Sequence, residues 1–197
     1  MRHAISAIAP AIVAFSILLA LPATAVPTEE EIRDMAEVAK ADLVENGFSF
    51  SFPDLKGKVV TNEDDQYKGK VLLVDLFGTW CRPCRREAPF LGELYDKYGE
   101  QGLEIVSIAF EFGDDKSKNI KKIKKFRKEF DTQYTTLYGG TTDGAKNVLP
   151  LPLARLGYPA VVLIDREGIV QMVEAGFWES SAQEIETNVK ALLSDTP

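Results

Sequence analysis

Residues 71–84, "VLLVDLFGTWCRPC", decide the fold of this chain. The first seven form a nearly continuous apolar run, which is typical of a strand covered on both faces of a sheet. Large apolar residues then recur at helical spacing over 81–98, so a helix is expected to begin at the two cysteines. The predicted order is a buried strand, a short loop, a Cys-Arg-Pro-Cys motif and a helix.

The rest of the chain alternates between strand-like and helix-like periodicity. We expect helices at 28–47, 117–130, 143–149 and 181–193, strands at 103–110, 135–138, 160–164 and 169–175, and a short hairpin over 48–61. Thr28 and Glu31 form a capping-box pattern at the start of the first helix. Pro150 and Pro152 are expected to end the helix before them, and Ser181 to cap the last helix. This order predicts an α/β fold whose central mixed β-sheet has parallel early strands, an antiparallel last pair and helices on both faces.

The N-terminal 25 residues have the composition of a secretory signal peptide. A short basic start is followed by an apolar run and by Ala-Thr-Ala at 23–25, which fits a cleavage site before Val26. The alternative is an uncleaved membrane anchor, but Pro10 and Ser16 interrupt the run, which is shorter than about 20 apolar residues. Either reading places the body of the protein in the periplasm or another extracytoplasmic compartment. The expected segments are a signal peptide at 1–25, a helical extension at 26–47 and a main domain at 48–197.

Composition restricts the classes of function. The chain of 197 residues carries a formal net charge of -7, which argues against nucleic acid or an anionic membrane as the main partner. Its only histidine, His3, lies in the predicted signal peptide. The mature chain therefore lacks the histidine that a Ser-His or Cys-His triad, a histidine general base or a histidine metal ligand requires.

Cys81 and Cys84 are the only cysteines of the chain, and three uses of the pair can be compared. A structural disulfide that closes so short a loop contributes only about 2 kcal/mol in the chain-entropy model. Zinc and iron–sulfur centres need four ligands, and covalent haem needs a histidine directly after the second cysteine, where Arg85 stands. We therefore expect no metal and no cofactor, and a redox-active pair is the use that remains.

The position of the pair at the start of a helix suits redox chemistry. Unpaired backbone N–H groups at a helix N-terminus stabilise a thiolate, and Arg82 inside the motif, with Arg85 and Arg86 after it, adds positive charge nearby. We expect Cys81 to be the exposed, attacking sulfur. Cys84, one turn into the helix, is expected to be shielded and to resolve the mixed disulfide.

Two longer stretches resemble a known family. The segment 67–91, "YKGKVLLVDLFGTWCRPCRREAPFL", is similar to the TlpA/ResA-type exported thiol-disulfide oxidoreductases of the thioredoxin superfamily, which share Gly-Lys before the strand and Glu-x-Pro after the cysteines. The segment 157–170, "GYPAVVLIDREGIV", resembles the cis-proline, strand and turn of that family. The resemblance covers roughly 48–193. It implies a thioredoxin-like fold with an extra N-terminal helix and hairpin.

The resemblance also implies two acidic catalytic residues. Asp75 matches the acid buried beneath the thioredoxin disulfide, where burial raises the pKa of a carboxyl and suits it to accept a proton. Glu87 matches the second acid of the family. The alternatives are an aspartate at an exposed strand end and an ordinary first-turn glutamate that the helix dipole favours. No lysine lies in 103–110 to balance the charge of Asp75.

A substrate-binding surface follows from the same resemblance. Pro159 matches the cis-proline that faces the disulfide, and a cis bond exposes the Tyr158 backbone for strand-like pairing with a client chain. Tyr158 departs from the small or β-branched residue usual in the family, which implies a narrower or more aromatic groove. We assign substrate binding to Trp80, Arg82, Pro83, Tyr158 and Pro159.

The implied function is that of a monomeric reductant that keeps apocytochrome or other client cysteines reduced, fed by a membrane or soluble thiol electron donor. An oxidase or isomerase is the alternative favoured by the arginines, because a stabilised thiolate makes a disulfide more oxidising. A thiol peroxidase is disfavoured, since its Pro-x-x-x-Thr-x-x-Cys pattern is absent. A non-catalytic binding module that retains the fold is the remaining alternative.

Overall fold

The structure is a computed structural model that describes residues 27–195. The predicted signal peptide and its cleavage site at 23–25 lie outside the described residues. Between residues 27 and 195, no helix combines the length and the apolar character needed to cross a membrane.

Helices and strands alternate along the described chain. The helices are α1 (Glu29–Asn46), α2 (Arg82–Tyr98), α3 (Lys116–Glu129), α4 (Leu151–Ala154) and α5 (Glu179–Ser194). The strands are β1 (Ser51–Pro53), β2 (Val59–Thr61), β3 (Val71–Phe77), β4 (Leu103–Glu111), β5 (Thr135–Thr141), β6 (Ala160–Ile164) and β7 (Val170–Ala175).

The central sheet has the strand order β5-β4-β3-β6-β7. β3 runs parallel to β4, and β4 parallel to β5, whereas β6 runs antiparallel to both β3 and β7. β1 and β2 form a separate antiparallel hairpin, which a bridge between Asp54 and Leu137 joins to β5. The predicted mixed sheet, with parallel early strands and an antiparallel last pair, is confirmed.

The sheet separates two layers of helices because successive strand residues face opposite sides. Residues such as Leu72 and Val74 face α1, α4 and the hairpin, whereas Leu73 faces α2 and α5. Every residue of β3 is buried, which explains why its sequence is apolar except at Asp75. Leu43 of α1 is buried in the same cluster as β3, so the N-terminal helix is packed into the core.

Two local predictions are wrong. The helix expected at 143–149 is a single 3₁₀ turn at Ala145–Asn147, and Pro152 lies in the first turn of α4. A proline in a first turn loses no helical hydrogen bond, so these prolines precede or begin a helix where they were expected to end one. Ser181 is not the cap of the last helix, since α5 begins at Glu179. Ser181 lies in the first turn, where its hydroxyl accepts the N–H of the N-cap residue Trp178 at 3.4 Å and donates to Glu174 Oε1 at 2.6 Å.

Candidate active site

The two cysteines lie at the N-terminus of α2, after the short loop that follows β3. Cys81 is the N-cap of α2, and it forms a disulfide with Cys84 across a Cα–Cα distance of 5.3 Å. The backbone N–H of Cys84 donates to Cys81 Sγ at 3.2 Å. The sulfur of Cys81 therefore lies at the positive end of the helix, where a negative charge on it is stabilised.

The prediction that Cys81 is exposed is wrong for this oxidised structure. Cys81 is 3% exposed and Cys84 is 2% exposed, and both belong to a cluster with Phe77 and Phe126. The disulfide draws the Cys81 sulfur toward Cys84, and the Tyr158 carbonyl oxygen lies 3.4 Å from it. A disulfide sulfur has no proton, so this is a van der Waals contact and not a hydrogen bond.

The rim beside the disulfide is aromatic. Trp80 packs against Phe112 with ring centroids 4.3 Å apart and meets Tyr158 edge to face at 5.7 Å. Trp80 is 41% exposed and Phe112 is 55% exposed. The Tyr158–Pro159 peptide bond is cis, as the resemblance implies. An apolar surface therefore lies next to the sulfur atoms, as expected from an aromatic residue before the cis-proline.

The basic residues after Cys81 have different environments. Arg82 is exposed and Pro83 is half-buried in the first turn of α2. Arg85 pairs with Glu129 of α3 and lies over the rings of α3's last turns, 5.1 Å from the Phe130 centroid. Arg82 is therefore exposed inside the motif, whereas Arg85 is engaged by Glu129.

Glu111 supports the loop that carries the motif, and the sequence analysis did not identify it. Its buried carboxylate accepts the backbone N–H of Thr79 at 2.8 Å and the Thr79 hydroxyl at 2.9 Å. Lys122 lies 3.7 Å from the same carboxylate. These contacts fix the residues directly before Trp80. The sequence signal is an acidic residue at the end of the apolar run 103–110, next to the strand that leads to the cysteines.

Asp75 is buried in the middle of the sheet, on the side of α2. The Ser107 hydroxyl donates to Asp75 Oδ2 at 2.7 Å, while Oδ1 has no partner among residues 27–195. Burial raises the pKa of Asp75 to about 7, and the Ser107 hydrogen bond opposes that rise. Asp75 and Cys84 line one small cavity. Ser107 thus supplies Asp75 with a hydrogen bond, but not with the positive charge that a lysine would provide.

Glu87 is the second buried acid, almost one turn after Cys84. Burial raises its pKa well above the ordinary range, and the negative charges of Asp75 and Glu174 raise it further. Glu174 of β7 is itself buried, and burial raises its pKa too. Glu174 escaped the sequence analysis, because it lies in an apolar strand far from the motif in the chain.

The acids do not form a metal centre. In the part of the chain that the structure describes, no group of three or more Cys, His, Asp or Glu residues is arranged to hold a metal ion. The arrangement is suited to proton transfer: the sulfur pair lies at a helix N-terminus, and Asp75, whose pKa burial raises to about 7, lines one cavity with Cys84.

Comparisons with known proteins identify the family of the chain. The profile of the Redoxin family matches residues 42–192. Thiol-disulfide oxidoreductase ResA of Bacillus thuringiensis subsp. konkukian is 30% identical over 156 residues, covering 78% of this chain and 80% of that protein. ResA of Geobacillus kaustophilus is 32% identical over 145 residues, covering 73% and 74%.

Solved structures share the fold. The thioredoxin domain of a thiol-disulfide oxidoreductase from Bacteroides vulgatus superposes with a TM-score of 0.57 at 26% identity, over 72% of this chain and 94% of that one. A thiol:disulfide interchange protein from Bacteroides sp. also gives a TM-score of 0.57 at 26% identity, over 73% and 87%.

Proposed function

The chain belongs to the Redoxin family of the thioredoxin superfamily and is a thiol-disulfide oxidoreductase, and from this premise we propose how it works. The Cys81–Cys84 pair exchanges disulfides with client proteins, and the protein acts as a reductant. The observation that carries the proposal is the buried carboxyl of Asp75, which lines the same cavity as Cys84.

The reaction begins with the reduced pair. The Cys81 thiolate attacks one sulfur of a client disulfide, and the other client sulfur leaves as a thiolate with the electron pair. Cys84 then gives its proton to Asp75 and attacks Cys81 Sγ. The bond between Cys81 and the client breaks, the second client sulfur leaves as a thiolate, and the Cys81–Cys84 disulfide forms. The client has gained the two electrons that the enzyme has lost.

Asp75 and Glu87 divide the proton-handling role. Each carboxyl opposes ionisation of the other, so the two together keep a proton near neutral pH. Ser107 stabilises the ionised form of Asp75, which makes Asp75 the group that accepts the proton from Cys84. Glu87 retains its proton and thereby limits the negative charge beneath the sulfur atoms.

The client binds on the aromatic rim. In the proposed complex an extended client segment pairs with the Tyr158 backbone beside Pro159, as a strand added to an edge. Trp80 and Pro83 contact the client side chain next to the cysteine, and Arg82 contacts client carbonyl or acidic groups. The exposed rings of Trp80 and Phe112 favour clients with an apolar residue beside the cysteine.

The reducing direction is supported by the charges around the pair. The buried carboxyl of Asp75 lines the same cavity as Cys84 and, when ionised, disfavours a thiolate on Cys84, which makes the reduced pair a stronger reductant. The argument for an oxidase relied on the arginines, but Arg85 is engaged by Glu129 and Arg86 donates to the Phe177 carbonyl oxygen at 3.2 Å. We expect a reduction potential near the thioredoxin value of about −270 mV, whereas a value near −120 mV would indicate an oxidase.

Organisation and location complete the proposal. The chain is exported with a signal peptide at 1–25, a helical extension at 26–47 and a thioredoxin-like domain at 48–197. It works in the periplasm or another extracytoplasmic compartment, as a monomer. Its clients are proteins with oxidised cysteines, apocytochromes among them, and a membrane or soluble thiol donor reduces it again.

Insulin reduction by dithiothreitol tests the activity. Wild type is expected to accelerate the reaction, and Cys81→Ser to abolish the acceleration. Cys84→Ala is expected to accumulate a mixed disulfide on Cys81, because no second sulfur is present to displace the client. Equal rates for wild type and Cys81→Ser, at equal folded content, would refute the proposal and favour a non-catalytic module.

A further inference from the structure

A small cavity lies directly beneath Cys84. Its volume is about 10 Å³, roughly the space that one water molecule needs. Asp75 and Ser107 form its floor, Phe77 and Phe126 form apolar walls, and Tyr134 and Thr136 lie toward the edge of the sheet. The lining of the cavity therefore mixes polar residues, to which Arg127 and Thr132 also belong, with apolar ones.

Three residues of this lining carry buried polar atoms that lack a partner. These atoms are Asp75 Oδ1, Thr136 Oγ1 and Arg127 Nε, and no hydrogen-bonding group of residues 27–195 reaches them. Buried polar atoms in folded proteins are almost always hydrogen-bonded, to protein or to ordered water. Three such atoms around a space of this size match the two to four partners that a buried water takes.

The strand register connects this cavity to the edge of the sheet. Asp75 lies opposite Ser107 of β4, and Ser107 lies opposite Thr136 of β5, which is the edge strand. The three side chains thus form one polar row across three strands. Beyond Thr136, a surface cleft is lined by residues that include Thr136, Tyr134 and Arg127, all shared with the cavity.

We propose that this cavity is a water site that carries the proton of Asp75 to solvent at the β5 edge, with Thr136 as its positioning residue. The site deepens the proposed function, because it explains where the proton goes after Asp75 takes it from Cys84. A water there accepts a hydrogen bond from one lining group and donates to Asp75 Oδ1 and Thr136 Oγ1.

When Cys84 attacks Cys81, its thiol proton moves to Asp75 and the client leaves as a thiolate. The Asp75 O–H bond then breaks as the water takes that proton, and the water passes another proton to the cleft. The client thiolate gains its proton from solvent. No further oxidant or reductant takes part.

The row of polar side chains does not continue from Asp75 toward β6 and β7. On the other side of Asp75 the register continues to Val161 of β6 and then to Glu174 of β7. Val161 has no polar group, so Glu174 is separated from Asp75 within the sheet. The ionisable or charged groups that face Asp75 are Cys84 and Glu87 from α2, Arg127 from α3, and Tyr134 from the segment before β5.

The test reads the ionisation of Asp75 in the oxidised protein, where no thiol titrates. The ¹³Cγ chemical shift of labelled aspartate is followed against pH in wild type, Thr136→Val, Thr136→Ser and Thr135→Val. Thr136→Val replaces the hydroxyl by a methyl group of similar size. The ionised form of Asp75 then loses a hydrogen bond, which raises the pH midpoint of the Asp75 titration by about 0.5 to 1 unit. Thr136→Ser keeps the hydroxyl and retains the wild-type midpoint.

Thr135→Val is the matched control, because residue 135 is the neighbouring threonine of the same strand and its side chain lies on the opposite face. In Thr135→Val, the pH midpoint of the Asp75 titration is expected to equal that of wild type. A Thr136→Val midpoint that is unchanged or lowered overturns the water site, and so does a Thr135→Val shift as large as that of Thr136→Val.

A kinetic readout completes the test. The Trp80 fluorescence change during single-turnover oxidation by a peptide disulfide is recorded from pH 6 to 9. Thr136→Val is expected to slow resolution about threefold to tenfold at pH 7 and to match wild type at pH 9; equal rates at pH 7 contradict the proposal. The titration needs no turnover. Failure of insulin reduction in wild type would therefore refute the proposed function and leave the water site to be judged by the titration alone.

Discussion

Replacing Asp75 by asparagine should stabilise the folded protein at alkaline pH while impairing its chemistry. Asparagine has nearly the same shape and still accepts the Ser107 hydrogen bond, which is 2.7 Å long in wild type. It removes a carboxyl that burial disfavours in its charged form. The substitution therefore removes the free-energy cost of the buried charge while it leaves the packing of the site nearly unchanged.

The magnitude follows from the pKa of Asp75, which burial raises from 3.8 to about 7. At 1.36 kcal/mol per pKa unit, this difference corresponds to about 4 kcal/mol of unfolding free energy. The folded pKa is raised, so between about pH 4 and pH 7 the folded state binds more protons than the unfolded state. The free energy of unfolding then falls as pH rises through this window and is level above it.

The unfolding free energy of Asp75→Asn does not show this fall, because asparagine does not titrate. The difference in unfolding free energy between variant and wild type should grow in favour of the variant by about 3 kcal/mol from pH 5 to pH 8.5. The Asp75 charge also raises the pKa of Glu87, so its removal favours the variant in the same direction. Guanidinium denaturation of the oxidised proteins at several pH values measures the difference.

The exposed Asp96→Asn serves as the control for loss of one negative charge, and its difference from wild type should change little with pH. A pH-independent difference for Asp75→Asn, or a less stable variant at pH 8.5, would refute the claim that the buried Asp75 titrates near neutral pH. The same variant should resolve mixed disulfides at least about tenfold more slowly, because it cannot accept the Cys84 proton.

Three further substitutions test the supports of the site. Glu111→Ala leaves two half-buried donors of Thr79 unpaired; unfolding free energy should fall by about 3 kcal/mol and kcat/KM by about tenfold in insulin reduction. In Gly78→Ala the new Cβ would lie 2.7 Å from Trp80 Cε2; a loss of about 1–3 kcal/mol and a shifted Trp80 emission are expected, and an unchanged spectrum would contradict this contact. Arg85→Ala breaks a half-exposed pair with Glu129 and should alter stability by less than about 1 kcal/mol, measured by denaturation.

Local sequence patterns predicted most of the fold correctly. The apolar run at Val71–Phe77 is buried throughout, and the hairpin, both central layers and the last strand pair have the predicted arrangement. The capping box at Thr28 and Glu31 is present, with the Thr28 N–H donating to Glu31 at 2.8 Å. These features depend on residues near in sequence, where periodicity and capping chemistry act directly.

The features that escaped the sequence analysis depend on contacts between distant segments. Ser107 reaches Asp75 only because β4 pairs with β3 in one particular register. Glu111 is recognisable as a support of the motif only once the end of β4 lies beside the loop after β3. The burial of Cys81 likewise depends on the Tyr158 segment, 77 residues further along the chain. Spacing in the sequence does not encode such register and packing.

The identity of the attacking sulfur tests the central claim most directly. Reduced wild-type protein is mixed at pH 7 with less than one equivalent of a peptide disulfide or of iodoacetamide, quenched in acid, and mapped by mass spectrometry. The account expects the adduct on Cys81, because its sulfur lies at the N-terminus of α2, while Cys84 faces the buried carboxyls. An adduct mainly on Cys84, or no adduct on either cysteine of the folded protein, would contradict it.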